Sequence, residues 1–137
     1  MITVTLRPVL PRSPHIHKQP DYLMVNWHVS SQPHIWRPPT DLLELEDQYL
    51  IRIEIAGMDE KDFEISLDQN IISIHGTRQD IPHRRAYHLM EISFGEFISV
   101  VELPGQIDEE RVTAEYLTGF LWIVLPKALP KQIHIDE

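Results

Sequence analysis

The sequence predicts an all-β protein, an antiparallel β-sandwich with a flexible N-terminal arm and a C-terminal tail. From residue 41 onward, apolar residues alternate with polar ones, and glycine or asparagine residues separate the runs. Alternation at a period of two is typical of strands with one buried face. No run past residue 41 keeps the apolar spacing of an amphipathic helix. Several short strands over about 100 residues favour two packed antiparallel sheets.

The predicted strands follow one another at short intervals. The last of them, residues 120–125, is apolar throughout, so we expect both of its faces to be covered. Residues 108–111 have room for one helical turn. The strands are predicted at residues 43–45, 49–55, 63–67, 72–74, 97–103, 112–116 and 120–125.

The first 40 residues differ in composition from the rest. They hold seven of the eleven prolines and none of the five glycines, and they carry four basic groups against one acidic group. Proline interrupts helices and is excluded from central strands. Many residues here are nevertheless apolar. We therefore predict a flexible, partly apolar arm at 1–35, a sandwich domain at 36–127 and a tail at 128–137.

Charge and composition exclude several classes of partner. The formal net charge of −9 argues against nucleic acid or an anionic membrane as the main partner. No stretch approaches the roughly 18 consecutive apolar residues of a membrane span, and no secretory signal is visible. The chain has no cysteine, which removes disulfides and thiolate catalysis. We expect a cytoplasmic protein.

Signatures of enzymes and metal sites are missing from the sequence. There is no Gly-x-Ser-x-Gly elbow, no phosphate-binding glycine loop and no His-Glu-x-x-His motif. His15 and His17 would align in an extended segment, but no third ligand is spaced to join them. We expect no catalytic residue, no cofactor and no metal, and therefore no enzyme.

The tail carries two isoleucines, Ile133 and Ile135, at positions i and i+2. In an extended chain these side chains point the same way. They either dock on another surface or pack back on their own domain as a final strand, and the residues alone leave both open.

The order of these motifs resembles the small heat-shock protein (α-crystallin) family over nearly all of residues 36–135. Each motif alone is weak, but this many in the right order make a specific match. The motifs are Trp36-Arg37-Pro38-Pro39-Thr40-Asp41, Ile55-Ala56-Gly57-Met58, residues 72–78, Gly95-Glu96-Phe97 with Leu103-Pro104, residues 114–127 and Ile133-His134-Ile135.

The resemblance implies an immunoglobulin-like sandwich, the α-crystallin domain. It also implies an ATP-independent chaperone, a holdase that binds unfolding client proteins and assembles as homodimers into larger oligomers. The loop between Arg78 and Gly95 would carry an extra strand that pairs with the partner's first domain strand. The residues implied in this strand exchange are Tyr87, His88, Leu89, Met90 and Glu91, with Leu42, Leu43, Glu44 and Leu45.

The resemblance also implies an acceptor for the tail, a groove between strands 63–67 and 112–117. Its candidate lining residues are Ile65, Leu67, Val112 and Ala114, and whether the tail docks on its own or another chain stays open. The chain departs from the family at Ser99, where members often have arginine, and at Leu89 and Ile92, where they often have basic residues. We therefore expect strand exchange, whereas the effect of these three replacements on its usual charge contacts stays open.

The arm is the predicted client-binding segment, through Leu23, Met24, Val25 and Trp27, because mobile apolar segments adapt to many partners. Alternatively, the arm packs inside the oligomer and only organises assembly. Two other functions compete with a holdase. A co-chaperone or adaptor would bind a folded partner with the same sandwich, although it would not need the tail. A histidine-dependent metal enzyme would contain stoichiometric metal.

Overall fold

The computed structural model describes residues 2–7, 34–83 and 86–129, and it is a β-sandwich. Sheet A has the strand order β1-β4-β5-β6, and sheet B has the order β2-β3-β8-β7. The strands are β1 (Val4–Leu6), β2 (Thr40–Glu44), β3 (Gln48–Glu54), β4 (Phe63–Asp68), β5 (Ile71–Arg78), β6 (Gly95–Glu102), β7 (Thr113–Leu117) and β8 (Phe120–Pro126). Single 3-10 turns at Glu60–Asp62 and Glu109–Arg111 precede β4 and β7. The predicted fold class is confirmed, and so is the predicted turn near residue 109.

The core forms where the inward-facing rows of the two sheets meet. In sheet B, Ile51 pairs with Ile123 and Ile53 with Leu121. In sheet A, Ile65 pairs with Ile74 and Leu67 with Ile72. All of these side chains are buried, and the polar residues between them point to solvent. The alternation in the sequence therefore sets which face of each strand is buried.

The local geometry favours glycine at two positions, one because of its positive φ and the other because of close neighbouring atoms. Gly119 has a φ of +85° and follows Thr118 at +49°, which makes the two-residue turn that joins β7 to β8. At Gly76, a Cβ atom would lie 2.6 Å from both the Phe97 ring and the carbonyl oxygen of Asp62. Glycine is therefore required at position 76, because Asp62 in the turn before β4 and Phe97 on β6 both approach the strand closely there.

Strand β8 corrects one prediction. Leu121, Ile123 and Leu125 are buried, but Phe120, Trp122 and Val124 on the outward face are only half-buried. The expectation that both faces would be covered is wrong for the outward face of the single chain. The strand is central in sheet B, so its edges are paired with β3 and β7, whereas its outward face is partly exposed.

Residues 2–7, which the sequence places in the predicted flexible arm, include strand β1. Ile2, Val4 and Leu6 alternate with threonines, and the strand pairs in parallel with β4. Ile2 joins the core with 8% of its surface exposed. The run is short and lies just before the first proline, so its alternation was overlooked. The rest of the arm, residues 8–33, lies outside the described residues.

Candidate assembly surfaces

The first candidate surface is the side of the sandwich where β4 and β7 face each other. The rings of Phe63 on β4 and Tyr116 on β7 lie 5.2 Å apart. The Tyr116 hydroxyl donates to the carbonyl oxygen of Ile55 at 2.8 Å and accepts from the backbone N–H of Met58 at 3.3 Å. These contacts hold β7 against the loop that follows β3. We call the region between these two strands the β4–β7 groove.

The four predicted lining residues all lie on this side, but they are unequally accessible. Ile65 and Leu67 point into the core, with 2% and 1% of their surface exposed. Val112 and Ala114 are half-buried and pack against the same core. Strand β1 already pairs with the edge of β4. Ile133 and Ile135 lie outside the described residues, so docking of the tail here stays a prediction.

The second candidate surface is the edge of sheet B at β2. In the described part of the chain, β2 has one strand neighbour, β3. Leu42 and Leu45 are exposed, Leu43 is half-buried, and a Glu44 carboxylate oxygen lies 3.6 Å from the Lys127 ammonium nitrogen. A strand edge with one neighbour has backbone groups available for another strand.

The loop predicted to carry the exchanged strand is irregular in the single chain. Residues 86–94 include no strand, and most of their apolar side chains are exposed, 77% for Leu89 and 63% for Ile92, whereas Phe94 is half-buried. Tyr87 and Met90 are exposed as well, and the Tyr87 hydroxyl donates to Asp80 at 2.6 Å. Pairing of Tyr87–Glu91 with a partner's β2 stays a prediction, because it needs a second chain.

Arg78 fixes the point at which this loop rejoins the sandwich. Its guanidinium group donates to the carbonyl oxygens of Ser93 and Ala56, at 2.9 Å from Nε and 3.2 Å from Nη1 respectively. The guanidinium carbon also lies 4.6 Å from the centre of the Trp36 ring and 5.2 Å from that of Phe94. Sequence reasoning missed this contact set, because its members lie in four separate segments.

Ser99 is accommodated by a small polar pair between the sheets. Its side chain is fully buried, and its hydroxyl lies 2.8 Å from the Thr40 hydroxyl, so the two share a hydrogen bond. The pair joins β6 to the start of β2 without any charge. An uncharged pair thus occupies the position at which the resemblance implies an arginine.

His75 lies on the outward face of sheet A between two carboxylates. Its Nε2 atom is 2.7 Å from Glu96 Oε1, and its Nδ1 atom is 3.5 Å from Glu64 Oε2. The hydrogen bond with Glu96 raises the pKa of His75 above 6.5, and Glu64 adds to the rise, whereas partial burial opposes it. Sequence reasoning did not identify this pairing, because Glu64, His75 and Glu96 lie on three different strands.

The outward face of sheet B carries an apolar strip that sequence reasoning did not recognise. Leu43 pairs with Leu50, and Leu50 pairs with Val124 across three adjacent strands. The rings of Phe120 and Trp122 lie beside this row, 5.9 Å apart. All five side chains are half-buried. The non-alternating run at 120–125 was the available indication of such a face.

Several predicted residues cannot be placed. Leu23, Met24, Val25 and Trp27 lie outside the described residues, as do His15 and His17. Within residues 2–7, 34–83 and 86–129, no three histidine or acidic side chains are grouped so that they could hold a metal ion. Among the residues described, no helix has the length and apolar character that crossing a bilayer requires.

Comparison with known proteins decides the family. A model of the Hsp20/alpha crystallin family matches residues 41–136. The chain belongs to this family. The family expected from the motifs is thereby confirmed, and the sandwich is an α-crystallin domain.

Other members of the Hsp20/alpha crystallin family resemble the chain in sequence and in fold. Small heat shock protein C4 of Rickettsia felis is 34% identical over 95 residues, which cover 68% of this chain and 58% of that protein. Small heat shock protein C2 of the same organism is 30% identical, over 66% of this chain and 60% of the relative. The chain thus spans less than two thirds of these relatives. A solved small heat-shock protein from Xylella fastidiosa is 28% identical with a TM-score of 0.63, covering 76% of this chain and all of that one.

Proposed function

We propose that this protein is an ATP-independent chaperone, a holdase that binds unfolding proteins and assembles as dimers into larger oligomers. Its membership of the Hsp20/alpha crystallin family and its likeness to proteins named small heat shock proteins support this function. The observation that carries the proposal is an exposed segment rich in apolar residues, 86–92, in the same chain as a β2 edge that has only β3 as a neighbour among the described strands. The role is non-catalytic, and with a net charge of −9 and no cysteine the protein suits the cytoplasm.

The dimer forms by mutual strand exchange. Residues Tyr87–Glu91 of one chain become a strand on the partner's β2, and the partner reciprocates. An isologous interface of this kind covers both exposed edges at once. Leu89 and Ile92 are highly exposed in the single chain, so burying them favours the dimer through the hydrophobic effect.

Larger assembly uses the tail. Ile133 and Ile135 lie inside the residues that match the family model, and the β4–β7 groove is the proposed acceptor. Each isoleucine contributes about 1.5–3 kcal/mol at full burial, whereas ordering the tether costs about 1–2 kcal/mol per residue. Each contact is therefore weak and reversible, and several tails in one oligomer reinforce each other. The Xylella relative is described as having a distinct high-order structure.

Two regions are proposed to bind clients. The first is the arm, through Leu23, Met24, Val25 and Trp27, as the sequence indicates. The second is the apolar strip on sheet B, which presents five half-buried apolar side chains. Large contiguous apolar patches on a protein surface mark interaction sites.

The test is aggregation of an unrelated client on heating, followed by light scattering with and without equimolar protein and with nucleotide removed. A holdase suppresses the scattering without nucleotide. Equal scattering in both samples contradicts the proposal. Binding to the native client before heating, without any suppression, would instead favour an adaptor for folded partners.

A further inference from the structure

We propose that strand β1 is an internal ligand of the β4–β7 groove, which the tail of another chain must displace before it can dock. The groove then has two rival occupants, residues 2–6 and residues 133–135. This inference rests on the proposed use of the groove by the tail. The inference concerns what occupies the β4–β7 groove before the chain assembles with other chains.

The backbone contacts show why only one occupant fits. Strand β1 pairs with β4 in register, Val4 with Ile65 and Leu6 with Leu67, and the backbone N–H of Arg7 donates to the carbonyl oxygen of Leu67 at 2.9 Å. On its other side β4 is paired along its whole length with β5. A strand has two edges, so β4 accepts no third strand while β1 is bound.

The side chains of β1 also fill the apolar positions. Ile2 belongs to the core, and Val4 packs against that core together with Val112 and Ala114. Thr3 and Thr5 are exposed on the other face. Ile2-Thr3-Val4 and Ile133-His134-Ile135 therefore share one pattern, two branched apolar residues at i and i+2 around a polar one. Both present their apolar side chains on one side of an extended chain.

Strand β1 is suited to being displaced by another segment. It has only three residues, lies at the edge of sheet A, and two of its three residues are exposed. Short edge elements with few buried contacts open at low free energy. A tail supplied at high effective concentration by neighbouring subunits can therefore compete with it. Because both occupants cannot be bound at once, removal of β1 raises the apparent affinity of the groove for the tail.

A disulfide that locks β1 onto β4 tests directly whether β1 and the tail compete for the groove. Thr5 and Ser66 are register partners on the outward faces of β1 and β4, and the chain has no cysteine of its own. We would place Thr5→Cys with Ser66→Cys in the full chain, with Ile133→Ala and Ile135→Ala to silence its own tail. The probe is a fluorescent peptide of residues 128–137, followed by anisotropy.

We expect the oxidised, locked protein to bind this peptide at least tenfold more weakly than the reduced protein. As a second variant, Ile2→Asp with Val4→Asp releases the strand and should bind at least tenfold more tightly than the matched control, Thr3→Asp with Thr5→Asp. The control places the same charges on the outward face.

The outcomes separate the two proposals. If the locked and reduced proteins bind the peptide with equal affinity, β1 does not compete with the tail, although the tail can still dock in the groove. No binding of the peptide to any variant overturns docking of the tail, and the rivalry fails with it. A peptide carrying Ile133→Ala and Ile135→Ala must bind none of the proteins, since equal binding would show that the isoleucines are not what the groove accepts.

Discussion

Arg78 lies over Trp36, with its guanidinium carbon 4.6 Å from the centre of the indole ring. Trp36 in turn donates from its ring N–H to the carbonyl oxygen of Gly95 at 3.3 Å. The two side chains thus join the end of β5, the entry to the domain and the start of β6. They fix one end of the loop that we propose exchanges between subunits.

Replacing Arg78 by alanine should destabilise the domain measurably. The change removes hydrogen bonds from a charged group, worth about 1.5–3 kcal/mol, and a cation–π contact worth about 0.5–2 kcal/mol. Because the losses overlap, we expect the free energy of unfolding to fall by about 2 kcal/mol in urea titrations.

Arg52→Ala is the matched control for Arg78→Ala. Arg52 donates to Asp41 at 2.6 Å, but both side chains are largely exposed, and exposed ion pairs contribute at most about 1 kcal/mol. If the two variants lose the same free energy of unfolding, the contacts of Arg78 stabilise the domain no more than an exposed ion pair does.

We expect His75 to make a pH-dependent contribution to the free energy of unfolding. Its pKa is raised in the folded protein, so protonation favours the fold. The contribution is fully present below the unfolded value of about 6.5 and is lost as the pH rises through the folded pKa. Because the group is partly exposed, we expect His75→Gln to lower the free energy of unfolding by less than about 1 kcal/mol at pH 5.5.

At pH 8.5 the His75→Gln variant and the unchanged protein should have the same stability. Urea titrations at the two pH values provide the measurement, with His34→Gln, an exposed histidine, as the control. A difference at pH 8.5 as large as that at pH 5.5 would show that His75 acts by packing rather than by charge.

Gly76→Ala should be strongly destabilising. The new Cβ atom would meet the Phe97 ring and the Asp62 carbonyl oxygen at 2.6 Å each, and overpacking of this kind costs about 1–3 kcal/mol. Thermal unfolding should show a clearly lower Tm. Ser73→Ala on the outward face of the same strand should change stability by less than about 0.5 kcal/mol, and equal effects would contradict the close approach.

Leu89→Glu with Ile92→Glu should convert the dimer to a monomer. The two side chains are among the most exposed apolar residues described, and strand exchange would bury them against a partner, where an unpaired charge is costly. Native mass by light scattering measures the outcome. Val100→Glu, which places a charge on the outward face of sheet A, is the control. A dimer that survives the double change argues against exchange of this loop.

Ile133→Ala with Ile135→Ala should reduce the proposed oligomer to dimers, because the tail loses the side chains that we propose fill the β4–β7 groove. Gln132→Ala with His134→Ala changes the alternate positions and should leave the mass unchanged. Light scattering at matched concentrations distinguishes the two. An unchanged mass in the isoleucine variant would mean that the tail is not an assembly contact.

Much of the fold could be predicted from local patterns. Strands β3, β4 and β8 follow from runs in which apolar residues recur every second position or fill the whole run, and Gly119 marks the turn before β8. The family followed from the order of short motifs. Both kinds of information are carried by neighbouring residues, which is why one sequence was sufficient.

The candidate surfaces could be predicted only in part. The exposed loop and the β2 edge were expected, but the strip on sheet B and the pairing of His75 with Glu96 were not. Those features depend on which strands lie side by side and in which register. Leu43, Leu50 and Val124 are far apart in sequence and form one row only because β2, β3 and β8 are neighbours.

The sequence by itself determined the class of fold, the family and the residues with one apolar face, because these depend on periodicity and motif order. Only the tertiary structure decided that residues 4–6 pair with β4 and that Arg78 reaches Trp36. Each of these contacts joins segments distant in the chain, and their formation is decided by the shape and free energy of the packed sandwich rather than by local preference.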